Sequence, residues 1–163
     1  MASWKYIHIA SGILWVTGWK LYIYGNTVTQ ANTLYKLLYD VIIKYNLTAK
    51  IATEEIVQRN KNKDIAWSAM VIYLSSDLFN YISGKTIMSL LIEELSDILQ
   101  YYPYKGKING AKSIYDGKIH YRYDLTIPLK PGHVMLPSDG GQYYRDYGPY
   151  NIENNVDIVN WFL

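Results

Sequence analysis

The sequence predicts an α+β domain, a mixed and largely antiparallel sheet with two main helices packed on it and an irregular C-terminal third. Three observations carry that prediction. Short β-rich segments of alternating polarity fill the beginning of the chain. Two stretches, near residues 27–46 and 87–99, place apolar residues at helical spacing. From Pro103 onward come all five prolines and seven of the eleven glycines, among long tyrosine-rich segments. At 163 residues the chain suits a single domain over 1–163, large enough to bury a core.

Taken in order, Lys5 to Ala10 alternates as a strand, Ser11-Gly12 signals a turn, and Ile13 to Val16 suits a second short strand. Gly18 precedes a third strand, Trp19 to Tyr24. Its alternation puts Trp19, Leu21 and Ile23 on one face and Lys20, Tyr22 and Tyr24 on the other. Thr27-Val28-Thr29-Gln30 reads as a capping box. Val28, Ala31, Leu34, Tyr35, Leu38, Val41, Ile42 and Tyr45 then form the apolar stripe of a helix from about residue 27 to 46, ended by Asn46. Leu47 to Thr53 is a short strand carrying Lys50. Arg59 to Asp64 reads as a solvated loop.

Ile65 to Leu74 is apolar nearly throughout, which predicts a central strand. Ser83-Gly84-Lys85-Thr86 looks like the end of a phosphate-binding loop, but the first glycine of that pattern falls on Phe79. A helix start is the better reading, with Ile87, Leu90, Leu91, Leu95, Ile98 and Leu99 facing the core and a stop before Pro103. Lys118 to Leu125 suits a strand. After Pro128 the chain reads as an ordered, irregular wrap that covers a cleft and ends in the apolar stretch from Val156 to Leu163.

Half the residues are hydrophobic and 18% are charged, below the usual figure of about 25%, so the chain is folded rather than disordered. A net charge of +2 does not decide between partners. The absence of cysteine excludes a disulfide framework, a thiolate nucleophile and a Cys-ligated metal, and fits a cytoplasmic location. Tyr6 to Trp19 is apolar but interrupted by His8, Ser11, Gly12, Thr17 and Gly18, and falls short of the about 20 residues a spanning helix needs. No membrane association is expected. Eighteen tyrosines with many Ile, Lys and Asn suggest an AT-rich gene, which suits a mobile element, a virus or a low-GC microbe equally.

Only three of the sixteen cationic side chains are arginines, and two of them sit inside aromatic motifs. Arg122 lies in His120-Tyr121-Arg122-Tyr123-Asp124, and Arg145 in Tyr143-Tyr144-Arg145-Asp146-Tyr147-Gly148-Pro149. A planar guanidinium recognises an oxyanion through two parallel hydrogen bonds, which an ammonium does not. The placement points to a phosphate or carboxylate held among rings. Arginine also stacks on tyrosine and pairs with Asp124 or Asp146 for structure alone.

In this order the segments resemble the N-terminal lyase region of class III and class IV lanthipeptide synthetases, which is related to the phosphothreonine lyases. Trp19-Lys20-Leu21-Tyr22-Ile23 is similar to that family's Trp-Lys-Ile-His-Val strand. Ala49-Lys50-Ile51 is similar to its short Lys-bearing strand, and Met70-Val71-Ile72-Tyr73 to its Ile-Thr-Ile-Tyr strand. His120-Tyr121-Arg122-Tyr123 matches a His-Tyr-Arg-Tyr motif. Tyr144-Arg145-Asp146-Tyr147-Gly148-Pro149 is similar to an Asp-x-Arg-Gly-Pro segment near an aromatic end like Trp161-Phe162. The stand-alone lyases of class V pathways show a similar opening.

The resemblance implies elimination of phosphate from phosphoserine or phosphothreonine. A base takes the Cα proton, an acid protonates the departing oxygen, and cations hold the dianion. It implies Lys20 as the base, with Lys50, Arg122 and Arg145 binding phosphate. The family's general-acid histidine is Tyr22 here, and a phenol, with a usual pKa of about 10, is a poorer proton carrier near neutrality. His8 is a substitute only if a neighbouring strand brings it there. The expectation is therefore a degenerate lyase-like domain that binds a phosphorylated peptide or protein, with elimination reduced or lost. No cofactor is expected.

Other constellations are weaker. His8, His120, His133 and Asp139 match no metal-ligand spacing. Lys105, Lys107, Lys112 and Lys118 with Tyr101, Tyr102, Tyr104 and Tyr115 form a basic aromatic segment, which suits single-stranded nucleic acid or a solvated loop. Glu93-Glu94 reads as a solvated helix face, and Ser138-Asp139-Gly140-Gly141 as a turn. The alternative function is a small nucleic-acid- or protein-binding accessory or inhibitor module using residues 101–118, since Tyr and Arg also dominate protein interfaces.

Overall fold

Alternation in a strand separates two faces, and each face here meets a different environment. The computed structural model describes residues 3–12, 16–61, 68–108, 111–123, 125–127 and 142–144. In chain order the elements are β1 (Lys5–His8), β2 (Val16–Tyr24), α1 (Val28–Lys44), β3 (Thr48–Ile51), α2 (Glu54–Lys61) and β4 (Ser68–Ser75). A short 3-10 turn (Ser76–Phe79) leads to the small hairpin β5 (Tyr81–Ile82) and β6 (Lys85–Thr86), then to α3 (Ile87–Leu99). β7 (Lys112–Tyr115), β8 (Ile119–Tyr123), β9 (Leu125–Ile127) and β10 (Gln142–Tyr144) follow.

Six strands form one sheet in the order β1-β3-β4-β2-β8-β7, and every described pairing is antiparallel. The α+β expectation holds: α1 and α3 are the two main helices, and the described residues add the short α2. β4 lies between β3 and β2, and its residues from Ser68 to Leu74 are all buried, as its apolar run predicted. The third expected strand begins earlier than Trp19: β2 starts at Val16 and runs through Gly18 with a register irregularity between Val16 and Lys20, while residues 13–15 of the expected second strand lie outside the described residues. Glycine inside a strand tends to mark a bulge rather than a break.

One sheet face packs on the helices. Trp19, Leu21, Ile23, Ala49, Ile51, Met70 and Ile72 meet Leu34, Leu38 and Ile42 of α1 and Met88, Leu91, Leu95 and Leu99 of α3. The α1 boundary falls where the capping box placed it, since Thr27 Oγ1 accepts from the Gln30 backbone N–H at 3.1 Å. Gln30 reaches one residue beyond the cap, its Oε1 accepting from Asn26 N–H at 2.7 Å. Asn46 ends the turn at φ +51°, a left-handed conformation asparagine tolerates. Thr86 caps α3 in the same way, accepting from Ser89 N–H at 3.1 Å. In α3 it is Met88, rather than Leu90 or Ile98, that completes the buried stripe.

The solvated loop expected from Arg59 is helical as far as Lys61. Only Ile56 and Val57 of α2 are buried, too few for a periodic stripe to be visible. Its ends are nonetheless well matched to the helix dipole, with Glu54 and Glu55 in the first turn and Arg59 and Lys61 in the last. Residues 62–67, the wrap expected after Pro128 apart from β10, and the apolar end from Val156 lie outside the described residues. Among the described residues, no helix is long and apolar enough to cross a membrane.

Candidate functional site

The sheet face opposite the helices is where the sequence placed its candidate residues. β2 presents Lys20, Tyr22 and Tyr24 there, since Trp19, Leu21 and Ile23 fill the other side. Antiparallel register then fixes their neighbours. Lys20 lies directly opposite Arg122 of β8 and opposite Tyr73 of β4, which in turn faces Thr48 of β3. The next row runs from Tyr6 of β1 through Lys50 of β3 and Val71 of β4 to Tyr22 of β2 and His120 of β8. Lys20, Tyr22, Lys50 and Arg122 therefore share one face. Arg145 lies outside the described residues.

Rings occupy the spaces between these cations. Lys20 Nζ lies 5.2 Å and Lys50 Nζ 5.4 Å from the centroid of the Tyr73 ring. Lys50 also lies 4.9 Å from Trp4 and 5.9 Å from Tyr6. The Arg122 guanidinium sits 4.6 Å from the Tyr22 ring and its Nη2 donates to Tyr22 Oη at 2.7 Å. Tyr22, Val71, Tyr73 and Ile108 form a second apolar cluster, with Trp4, Tyr6, Tyr24 and Ala111 packed against it. Lys20 is only 4% exposed, whereas Lys50 is half-buried. Burial pushes the Lys50 amine down to about 8 from its ordinary value of 10.5. Ring faces act in the opposite sense by favouring the cation.

His8 does not reach this centre. β1 is an edge strand, three strand spacings or roughly 14 Å from β2. The bulge between Tyr6 and His8 pairs His8 with core-facing Ala49, and its Nδ1 bonds the Leu47 carbonyl at 2.7 Å. It is no stand-in for a histidine at position 22. His120 does stand opposite Tyr22, but its Nε2 donates to the Gly117 carbonyl at 2.9 Å, and burial lowers its pKa. It fastens the β7–β8 turn. His133 and Asp139 lie outside the described residues, among which no cluster of His, Asp and Glu is arranged to hold a metal ion.

The basic aromatic segment is split by the fold. Lys118 is buried and donates to the Leu99 carbonyl at 2.8 Å, closing the end of α3. Tyr102 is fully buried, with its hydroxyl donating to Tyr24 O at 2.7 Å. Lys105 pairs with Asp116 at 3.4 Å. Tyr101, Tyr104, Lys107 and Lys112 remain exposed. Glu93 and Glu94 carry surface ion pairs to Lys85 and Lys44. A separate cavity of about 290 Å³ beside the end of α1 is lined by Lys44, Tyr45, Asp77, Leu78 and Ile82 among others, and draws no residue from the cationic face.

The rings of Trp4 and Tyr6 are the part of this arrangement that the sequence did not single out, and it marks Tyr73 only as the end of a strand, without a place beside the cations. Tyr73 is hidden by the uniform apolarity of β4, where both faces are buried and alternation carries no signal. Trp4 precedes the first strand and is joined to Lys50 only by the pairing of β1 with β3. No protein-family model matches the sequence, and no curated protein matches it.

Proposed function

We propose that the cationic sheet face binds the phosphate of a phosphorylated serine or threonine in a peptide or protein, in a lyase-like domain whose elimination activity is reduced or lost. One observation carries this reading. Lys20 and Arg122 stand opposite each other on adjacent strands, while Lys20 and Lys50 share the Tyr73 ring, so three strands contribute cations to one face. A point-like ammonium beside a planar guanidinium suits a tetrahedral dianion. The loss of elimination rests on position 22, where a phenol already bonded to Arg122 stands in place of the imidazole of the lyases it resembles.

The reading is tested by thermal unfolding in phosphate or sulfate. At one hundred times Kd a bound anion adds about 2.7 kcal/mol, or roughly 5–10 °C for a domain of this size. Arg122→Ala is expected to abolish that increment, whatever it does to the starting Tm. Phosphothreonine peptides should protect and their unphosphorylated forms should not. Equal protection of wild type and Arg122→Ala would remove the basis of the proposal.

The exposure of Tyr101 and Tyr104, at 80% and 43%, beside Lys107 and Lys112 supports a second reading, a surface for single-stranded nucleic acid. That reading requires oligonucleotide affinity that falls steeply with salt and is weakened by Lys107→Ala or Lys112→Ala. Anion protection through Arg122 is no part of it.

A further inference from the structure

Lys50 is set differently from the other cations of its face. Three rings from separate parts of the chain surround its ammonium: Trp4 before β1, Tyr6 in β1 and Tyr73 in β4, at 4.9, 5.9 and 5.4 Å from Nζ. Among the described residues no carboxylate pairs with Nζ and no hydrogen-bond acceptor reaches it. Ring faces favour the cation but do not accept its protons as a carboxylate does, so no ion pair holds the amine in its charged form. Lys20 lies over the same Tyr73 ring. Burial lowers the Lys50 amine to about 8, so about half the Lys50 side chains are neutral at pH 8. For an ordinary lysine the neutral fraction there is roughly 0.4%. Lys50 is also open enough for a small molecule to reach, whereas Lys20 is buried.

A neutral, partly exposed amine among three rings is a nucleophile, and a nearby ammonium favours an anionic partner. We propose that Lys50 condenses with the carbonyl of a small anionic aldehyde or keto acid, whose negative charge is attracted by the cations of Lys20 and Arg122 on the same face. The nitrogen lone pair forms a bond to the carbonyl carbon, and one amine proton passes to the carbonyl oxygen. The carbinolamine then loses its hydroxyl and a second proton as water, leaving a C=N imine. No oxidant or reductant takes part. This inference rests on the anion-binding reading of the face and adds a covalent step to it.

Trapping with cyanoborohydride tests it on the intact chain. Glyoxylate and acetaldehyde are similar in size, and only the first carries a carboxylate. Reduction of the imine by hydride leaves a stable secondary amine that peptide mapping locates. At pH 8, Lys50 is expected to be alkylated by glyoxylate about tenfold faster than the exposed Lys36 or Lys85. Glyoxylate should outpace acetaldehyde at Lys50, and in Lys20→Met the ratio of the two rates should fall to about one. Labelling of Lys50 no faster than Lys36 overturns the nucleophile, and if phosphate still protects through Arg122 the anion reading survives that result. Equal rates for the two aldehydes in the wild type overturn the anion-held carbonyl, and absent phosphate protection as well then removes the parent reading.

Discussion

Arg122 meets Tyr22 twice. Its Nη2 donates to the phenol oxygen at 2.7 Å, and its guanidinium lies 4.6 Å from the centre of the same ring. The two residues are not cross-strand partners: Arg122 is opposite Lys20, and Tyr22 is opposite His120. The contact is therefore diagonal, made possible by the length of the arginine side chain. It holds the guanidinium beside Lys20 and engages the phenol hydroxyl.

Removing that hydroxyl tests the contact. Tyr22→Phe keeps the ring and deletes the acceptor, and should cost about 1.5–3 kcal/mol in urea denaturation, the range for a hydrogen bond to a charged group. Arg122→Lys should cost a similar amount, because an ammonium loses the planar fork. No change in either midpoint would mean that the contact does not contribute to the fold.

Tyr22→His bears on chemistry rather than stability. It places an imidazole two residues after Lys20, where the proposed lyase-like reading calls for a general acid. Phosphothreonine peptides should lose phosphoric acid faster with this variant than with the wild type, as read by mass spectrometry. If turnover stays absent, the phenol is not what limits elimination.

Lys50 gives the fold a distinct pH dependence. Its amine is lowered to about 8 in the folded chain against 10.5 when unfolded, so between those values the unfolded state holds more protons. Stability should therefore rise with pH through this window, by at most about 3 kcal/mol, with the burial penalty fully present below pH 8. Burial raises the pKa of Tyr102 and Tyr121, which works in the opposite sense as alkali ionises tyrosines in the unfolded chain. The comparison is thus with Lys50→Met, which keeps the tyrosines and removes the amine. Wild-type stability minus that of Lys50→Met should rise from pH 8 to 10.5, so that any advantage of the variant at lower pH shrinks, and a flat difference contradicts the assignment.

Two substitutions test how the covering segment is attached. A Cβ on Gly25 would lie 2.5 Å from the Ala69 Cβ and 2.9 Å from Tyr102 Oη, and neither the strand nor the fully buried ring has room to move. Gly25→Ala should cost about 1–3 kcal/mol and disturb the Tyr102 bond to Tyr24. Lys118→Met removes the donor to Leu99 O and should destabilise by about 1–3 kcal/mol, while Lys107→Met should change stability by less than about 0.5 kcal/mol.

What could be read from the sequence was local. Period-two alternation in Trp19 to Tyr24 placed each side chain on its observed face, and Thr27 and Gln30 located the start of α1. Strand order was not legible, because pairing is set by contacts far apart in sequence. The cage around Lys50 and the exclusion of His8 both follow from the position of β1 at the sheet edge. The helix at Glu54–Lys61 was missed because a helix that buries two residues shows its caps and charges but no stripe. Arginine scarcity did lead to Arg122, since the same side chain proves to lie beside Lys20.

A crystal soaked in sulfate, or in selenate for its anomalous signal, tests the cationic face most directly. The account predicts an anion over the sheet with oxygens within about 3.2 Å of Lys20 Nζ and of either Arg122 or Lys50. An anion found only on the exposed lysines between residues 105 and 112, with none at this face under saturating soak, would contradict it.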